Sequence, residues 1–116
     1  MQPIYATSGE WVAILHDGHL YDTRGDWIAW IDGNEVYTRD GVYAGFLSRD
    51  RRVLRQRIRR TRPLRPAPLI PPKIRPPALV PLAPLFAELP WGQVDVFEEE
   101  PEIFKYISSL RPDRDD

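Results

Sequence analysis

Chemistry requires side chains of the right type within reach of one another, and this chain of 116 residues offers few such sets. His16 and His19 flank Asp17-Gly18, and Asp22 follows; two imidazoles and a carboxylate are a metal donor set. Sixteen residues on, the matching turn carries Asp32 and Glu35 instead. The two turns share geometry and not ligands, so exposed turn residues are expected and no metal. Without cysteine there is no thiolate nucleophile, thiolate metal site or disulfide. The serines Ser8, Ser48, Ser108 and Ser109 lie in turns or the tail, not at a strand-turn-helix elbow. Carboxylates cluster only from Glu98 to Glu102, a solvated face or charge at a helix start. The glycines are spaced along the chain and form no phosphate-binding loop. The expectation is a protein with no enzymatic activity and no cofactor.

Binding chemistry is better represented. Arg49, Arg51, Arg52, Arg55, Arg57, Arg59, Arg60, Arg62 and Arg65, with Lys73 and Arg75, hold most of the positive charge. Such a run could neutralise phosphates while Trp11, Trp27, Trp30 and Tyr43 stack on bases. Against this, the aromatics sit where strand centres are expected, and no RNA-module motif is present. An acidic end, Glu98 to Glu102 and Asp113 to Asp116, would also repel a polyanion. Net charge is −1, so the segregation of the charges matters more than their sum. The basic stretch can meet the acidic tail in cis or in a neighbouring subunit. Nucleic-acid contact through Arg49 to Arg75 is therefore the alternative, and protein assembly the preferred reading.

The elements that must position these residues are written as a repeat. Between Gly9 and about Arg55 one pattern occurs three times, as GEWVAILHDGHLYDTR, GDWIAWIDGNEVYTRD and GVYAGFLSRDRRVLRQ. Recurrence at one period is read before any local signal. Each copy predicts a hairpin. Apolar runs Trp11 to Leu15, Trp27 to Ile31 and Tyr43 to Leu47 lead into polar turns, then into the short strands Leu20-Tyr21, Val36-Tyr37 and Val53-Leu54. Asp-Gly suits the turns because glycine accepts positive φ. The third copy lacks that pair and carries an extra residue. Ile4-Tyr5 is a fragment of a fourth copy whose partner is either Gln93 to Phe97 or a second molecule; closed arrays protect strand edges in this way.

Tyr5 to Trp11, Tyr21 to Trp27 and Tyr37 to Tyr43, with Gly9, Gly25 and Gly41 between, resemble the four-fold β-flower domain of bacterial proteins. The likeness rests on the first half of the chain. It implies short hairpins around a pseudo-four-fold axis and no established activity, so no catalytic residue carries over.

The leading strands are apolar on both faces. By alternation, Trp11, Ala13 and Leu15 oppose Val12 and Ile14, and Trp27, Ala29 and Ile31 oppose Ile28 and Trp30. A sheet with one wet face would alternate with polar residues, so both faces need cover. Pro63 to Pro90 is the candidate. Its prolines exclude helix and inner strand, leaving an extended polyproline-II strap of about 3.1 Å per residue. Its aliphatic residues either pack on the sheet or dock in a partner's groove. Leu79, Val80, Leu82, Leu85, Phe86 and Trp91 are the expected partner-binding residues. Beyond them come a strand Gln93 to Phe97 and a helix starting at Pro101, with Ile103, Tyr106, Ile107 and Leu110 on one face and Arg111-Pro112 at its end.

The expected fold is mainly β: three to four short hairpin repeats (residues 1–58), an Arg/Pro-rich extended strap (59–90), then a strand, short helix and acidic tail (91–116). No secretory signal is read at the start, and no apolar stretch approaches the ~20 residues that span a bilayer. A cytoplasmic accessory subunit, held in a larger complex through the strap or by self-association, is the functional expectation.

Overall fold

A computed structural model describes residues 1–58 and 62–104. Eight strands form one antiparallel sheet in chain order: β1 (Gln2–Tyr5), β2 (Trp11–His16), β3 (His19–Tyr21), β4 (Trp27–Asp32), β5 (Glu35–Thr38), β6 (Tyr43–Leu47), β7 (Val53–Gln56) and β8 (Gln93–Asp95). A short helix, α1 (Val96–Glu99), follows.

The turns follow from residue type. At β2–β3, His16 pairs with His19, leaving Asp17 and Gly18 as a two-residue loop. Both have positive φ, 50° and 77°, the conformation whose twist matches that of the strands. The extra residue of the third copy has a structural outcome. Its turn repeats the hydrogen bonding found where one copy joins the next. Gly9, Gly25 and Gly41 donate their amides to the carbonyls of Ala6, Asp22 and Thr38, and Arg51 donates to Ser48 in the same way. Arg51 stands in the glycine place, at φ 68°, and the hairpin forms despite the missing Asp-Gly.

Strict alternation fails at three places, for one reason. Tyr5 pairs with Trp11 and Ile4 with Ala13; Tyr21 pairs with Trp27 and Leu20 with Ala29; Tyr37 pairs with Tyr43 and Val36 with Gly45. Each step opposes two residues to one, leaving Val12, Ile28 and Ala44 as bulge residues. A bulge resets which side chain faces which way. Trp27 therefore joins Trp30, Ile14, Tyr21 and Tyr37 on an aromatic face, with Trp11 and Tyr43 beside them. Ile28 joins Ala13, Ala29, Leu20 and Val36 in an aliphatic cluster. The assignment of Trp11 and Trp27 to the alanine side is thus corrected.

Each cluster has its own cover. Val96 and Phe104 are buried in the aliphatic cluster, and Phe97 and Ile103 pack against it. The strand expected to reach Phe97 stops at Asp95. There the Asp95 side chain caps α1, accepting from the Phe97 amide at 3.0 Å. Helical structure resumes at residues 102–104; Tyr106, Ile107, Leu110 and Arg111-Pro112 lie outside the described residues. The aromatic face is covered by the segment between β7 and β8, in which no helix or strand is found among the described residues.

The strand expected as a pairing partner for Ile4-Tyr5 lies at the other end of the sheet. β8 pairs with β7, not with β1. The sheet's two ends meet through side chains: Thr7 donates its amide and its hydroxyl to Asp95 Oδ2, each at 2.7 Å.

Deleting Ile28 removes a bulge and should turn Trp27 to the wrong face. The expected result is loss of the near-UV circular dichroism of the aromatic cluster. Ile28→Ala keeps the bulge and should retain the spectrum at a cost of about 2–4 kcal/mol in urea denaturation.

Candidate interaction site: the proline-rich segment and the aromatic face

The contact between segment and sheet begins with backbone. Arg65 donates its amide to the Gly41 carbonyl at 3.0 Å, and Ile74 donates to Gly25 at 3.2 Å. The reverse side of each contact explains the glycines. A Cβ on Gly41 would lie 1.9 Å from the Arg65 carbonyl oxygen, and one on Gly25 2.1 Å from that of Ile74. Gly9 follows the same order, nearest to Ala83. The segment thus passes the three glycines in reverse, one every nine residues, while the sheet presents them every sixteen. The Tyr5 hydroxyl donates to the Pro81 carbonyl between the last two.

The side chains over the aromatic face are mainly arginines. The Arg65 guanidinium lies 5.0 Å from the Tyr37 ring and 5.7 Å from that of Trp30, which itself stacks on Tyr37 at 4.8 Å. Arg62 lies 3.9 Å over Tyr43. A guanidinium plane suits such faces because it is weakly hydrated and keeps its edge for hydrogen bonds. Those edges reach carboxylates: Arg65 to Asp32 at 2.7 Å and Arg62 to Glu35 at 2.8 Å. Hydrogen bonds from Arg62 and then Tyr37 hold the Glu35 carboxyl below its ordinary range. Ile74 is the aliphatic residue of the segment that packs in the aromatic cluster.

The leucines do the opposite of what the covering role predicts. Leu69, Leu79, Leu82 and Leu85 are 88–103% exposed, and Leu64, Ile70 and Trp91 also stand out. Val80 and Phe86 are half-buried. The half-buried positions recur almost every third residue: 65, 68, 71, 74, 76, 80, 83, 86 and 89. One side of the segment therefore faces the sheet and the rest faces water. Of the expected partner-binding set, Leu79, Leu82, Leu85 and Trp91 are open to a partner, and Val80 and Phe86 are spent largely on the fold.

The basic stretch is dispersed. Arg52 is buried, bound to Asp50 through Nη2 at 2.6 Å and Nε at 3.2 Å. Its Nη1 donates to Thr7 Oγ1 and to the Ala87 carbonyl, each at 3.1 Å, and its guanidinium lies 4.7 Å over Phe86. Burial pushes the Asp50 carboxyl up, but hydrogen bonds from Arg52 and Ser48 outweigh that and hold it low. Arg55 binds Glu100 at 3.3 Å, one point where the basic stretch meets the acidic end. Arg57 donates to the Trp91 carbonyl and lies 5.0 Å over its ring. Lys73 pairs with Asp26 at 3.3 Å. Arg49, Arg51 and Arg75 are exposed. Arg59 and Arg60 lie outside the described residues.

The two histidines and Asp22 do separate work. His16 lies 3.5 Å from Asp17. His19 sits edge-on to Tyr21 and Trp27, and burial lowers its pKa against the opposing pull of Asp17. Asp22 accepts the Arg24 and Asp26 amides inside its turn. Among the described residues no three side chains of metal-ligating type come together, and no helix is long and apolar enough to cross a membrane.

Sequence reasoning missed two roles. Gly25 and Gly41 receive the segment's backbone, a role that their spacing does not disclose because the positive φ of each turn already calls for glycine. Arg62 and Arg65 belong to the basic stretch expected to meet phosphates or the acidic tail, and their spacing from the prolines carries no mark of the rings beneath them.

A family model described as "4-fold beta flower protein" matches residues 2–98. The match runs through the proline-rich segment and β8, beyond the first half on which the resemblance was drawn. No curated protein and no solved structure matched the chain.

Gly41→Ala and Gly18→Ala both place a side chain at positive φ, costing about 1–2 kcal/mol each. Only Gly41→Ala meets a backbone carbonyl. It should cost clearly more in urea denaturation and open residues 62–74 to limited proteolysis, with Gly18→Ala leaving that segment protected. Acid should loosen the same contact. The Glu35 pKa is lowered from 4.5, so its contribution is complete above that value and is lost as pH falls through the depressed one. Exchange of the Arg65 amide, corrected for intrinsic rate, should accelerate in that window, and Glu35→Gln should remove the step attributable to it.

Proposed function

The chain belongs to the 4-fold β-flower family, and from that footing we propose that it is a non-enzymatic interaction or assembly module, an accessory subunit whose working surface is the outer side of the strap. The finer architecture belongs to the same proposal. The hairpins are taken as repeats about a pseudo-four-fold axis, and the strap as a polyproline-II segment. Burial recurring near every third residue supports the latter, because that helix has three residues per turn.

One observation carries the reading: large apolar side chains of the strap point into water while its backbone is held to a folded sheet. Monomeric proteins rarely keep extended apolar surface uncovered, and such surface marks sites of association. A strap already fixed on the sheet loses little further conformational entropy when a partner binds. The arginines weigh against a polyanion as partner. Arg52, Arg55, Arg62 and Arg65 are engaged with carboxylates of the same chain, and neutralising phosphates would require giving up those bonds.

The test is recovery of the protein from its own host, as wild type and as Leu79→Ser/Leu82→Ser/Leu85→Ser. Wild type should come in a stoichiometric protein assembly that the triple variant loses while keeping its unfolding midpoint. Identical assemblies from both would overturn the reading. So would RNA or duplex-DNA binding that falls steeply with salt and disappears when Arg57, Arg59 and Arg60 are replaced.

A further inference from the structure

The cross-strand pairs Ile14–Tyr21, Trp30–Tyr37 and Phe46–Leu54 take matching places in three successive hairpins. Phe46 also opposes Glu35, two residues from Tyr37, so the third pair lies on the same strap-covered face as the rings. Strap side chains roof the first two pairs. Ile74 packs in the cluster with Ile14 and Tyr21, and Arg65 lies over Trp30 and Tyr37. The third pair belongs to neither apolar cluster. By order its roof should be Arg57, whose amide donates to the Gly92 carbonyl at 2.7 Å as those of Arg65 and Ile74 donate to Gly41 and Gly25. The Arg57 side chain turns instead to Trp91. Over Phe46 and Leu54 there is a cavity of about 490 Å³, walled on the strap side by Ala87, Leu89 and Pro90. That size is within the range of ligand sites.

We infer that this cavity receives one large aliphatic side chain from an extended, charge-flanked segment of a protein partner. The inference rests on the interaction reading above and gives that partner its chemistry. The floor decides the guest. In the second place, the Arg65 guanidinium has the rings of Trp30 and Tyr37 beneath it and Asp32 beside the turn to bind. The third place offers one phenyl ring and a leucine, and its turn carboxylate, Asp50, is already bound to Arg52 at 2.6 Å. A cation on that floor would lose water without gaining a carboxylate there. An aliphatic group repeats what Ile74 does in the first place.

The rim decides how the guest is carried. Asn34 and Gln93 line the cavity with carboxamides, and Arg49 and Glu88 with one charge of each sign; none is bonded through its side chain to another described residue. A carboxamide both donates and accepts, as the amides of an extended backbone require. Arg49 complements an acidic residue on one flank of the guest and Glu88 a basic residue on the other. Such complementarity gives register and selectivity more than affinity. The strap residues that wall the cavity follow closely on Leu85, exposed at 103%, so one partner segment can cover both.

The test is methyl NMR on the full chain, titrated with a synthetic peptide of residues 71–77 carrying Lys73→Glu, in which isoleucine stands between one acid and one base. Saturable shifts of the Leu54 and Leu89 methyls are expected, with a dissociation constant of about 1 mM or below. Alanine for the peptide's isoleucine should weaken binding by about tenfold or more. Glu88→Lys in the protein should move the preference to a peptide with acid on both flanks. Arg49→Glu should move it to the unaltered 71–77 sequence, basic on both, each by about tenfold. No saturable shift at those methyls overturns the inference, as do preferences indifferent to the two charge changes. Shifts centred on Gly25 overturn it as well, because the peptide would then be displacing the strap's own Ile74. A concentration-dependent dimer lost in Glu88→Lys would make the guest a second copy of the chain and overturn it too. If no peptide binds while the triple leucine variant still loses its assembly in the host experiment, the cavity has failed and the interaction reading has not.

Discussion

The structure depends on one constraint: a single sheet with two apolar faces. Backbone hydrogen bonding is satisfied by the eight-strand ladder, but neither the aliphatic nor the aromatic cluster can be left to water. The chain answers with two separate covers. The C-terminal segment supplies aliphatic and phenyl groups to the aliphatic cluster. The proline-rich segment supplies arginine and backbone to a face of large rings, where guanidinium lies over π-face.

The choice of proline for the second cover follows from that chemistry. A strand laid on the aromatic face would bring amides with no ladder to join, and buried amides without partners are costly. Prolines remove ten of the 28 donors between residues 63 and 90. The amides of Arg65 and Ile74 are retained and meet the carbonyls of Gly41 and Gly25. Arg65 combines three functions in one residue: an amide to Gly41, a guanidinium against the stacked pair Trp30 and Tyr37, and a bond to Asp32. With the inner side of the strap committed in this way, Leu64, Leu69, Leu79, Leu82 and Leu85 face outward.

Closure of the sheet rests on a compact polar knot. Arg52, Asp50, Thr7 and Asp95 link the β6–β7 turn, the end of β1 and the end of β8, and Arg52 also holds the strap at Ala87. Buried ions contribute little net stability against an apolar substitute, yet removing one partner strands the other. The knot is better read as a device for specificity. It brings together two strand edges that share no ladder hydrogen bonds, and it uses residues more than eighty positions apart to do so.

By itself the sequence determined what depends on near neighbours. Asp17-Gly18 placed a hairpin, the glycine and aromatic period placed the strands, and the prolines of 63–90 ruled out helix and inner strand there, because φ preferences act within a few residues. Tertiary structure decided the rest. Which face Trp27 occupies depends on the ladder between β3 and β4 admitting Ile28 as an extra residue, a choice made by register across two strands. Whether Arg65 or Leu69 meets the aromatic rings depends on where the strap is anchored, and the anchors at Gly41 and Gly25 lie far off in sequence. The end of β8 at Asp95, its cap on α1 and its bond to Thr7 likewise exist only after the two ends of the chain have met. Local propensity has no term for such contacts, since their energy appears only when distant residues share a surface.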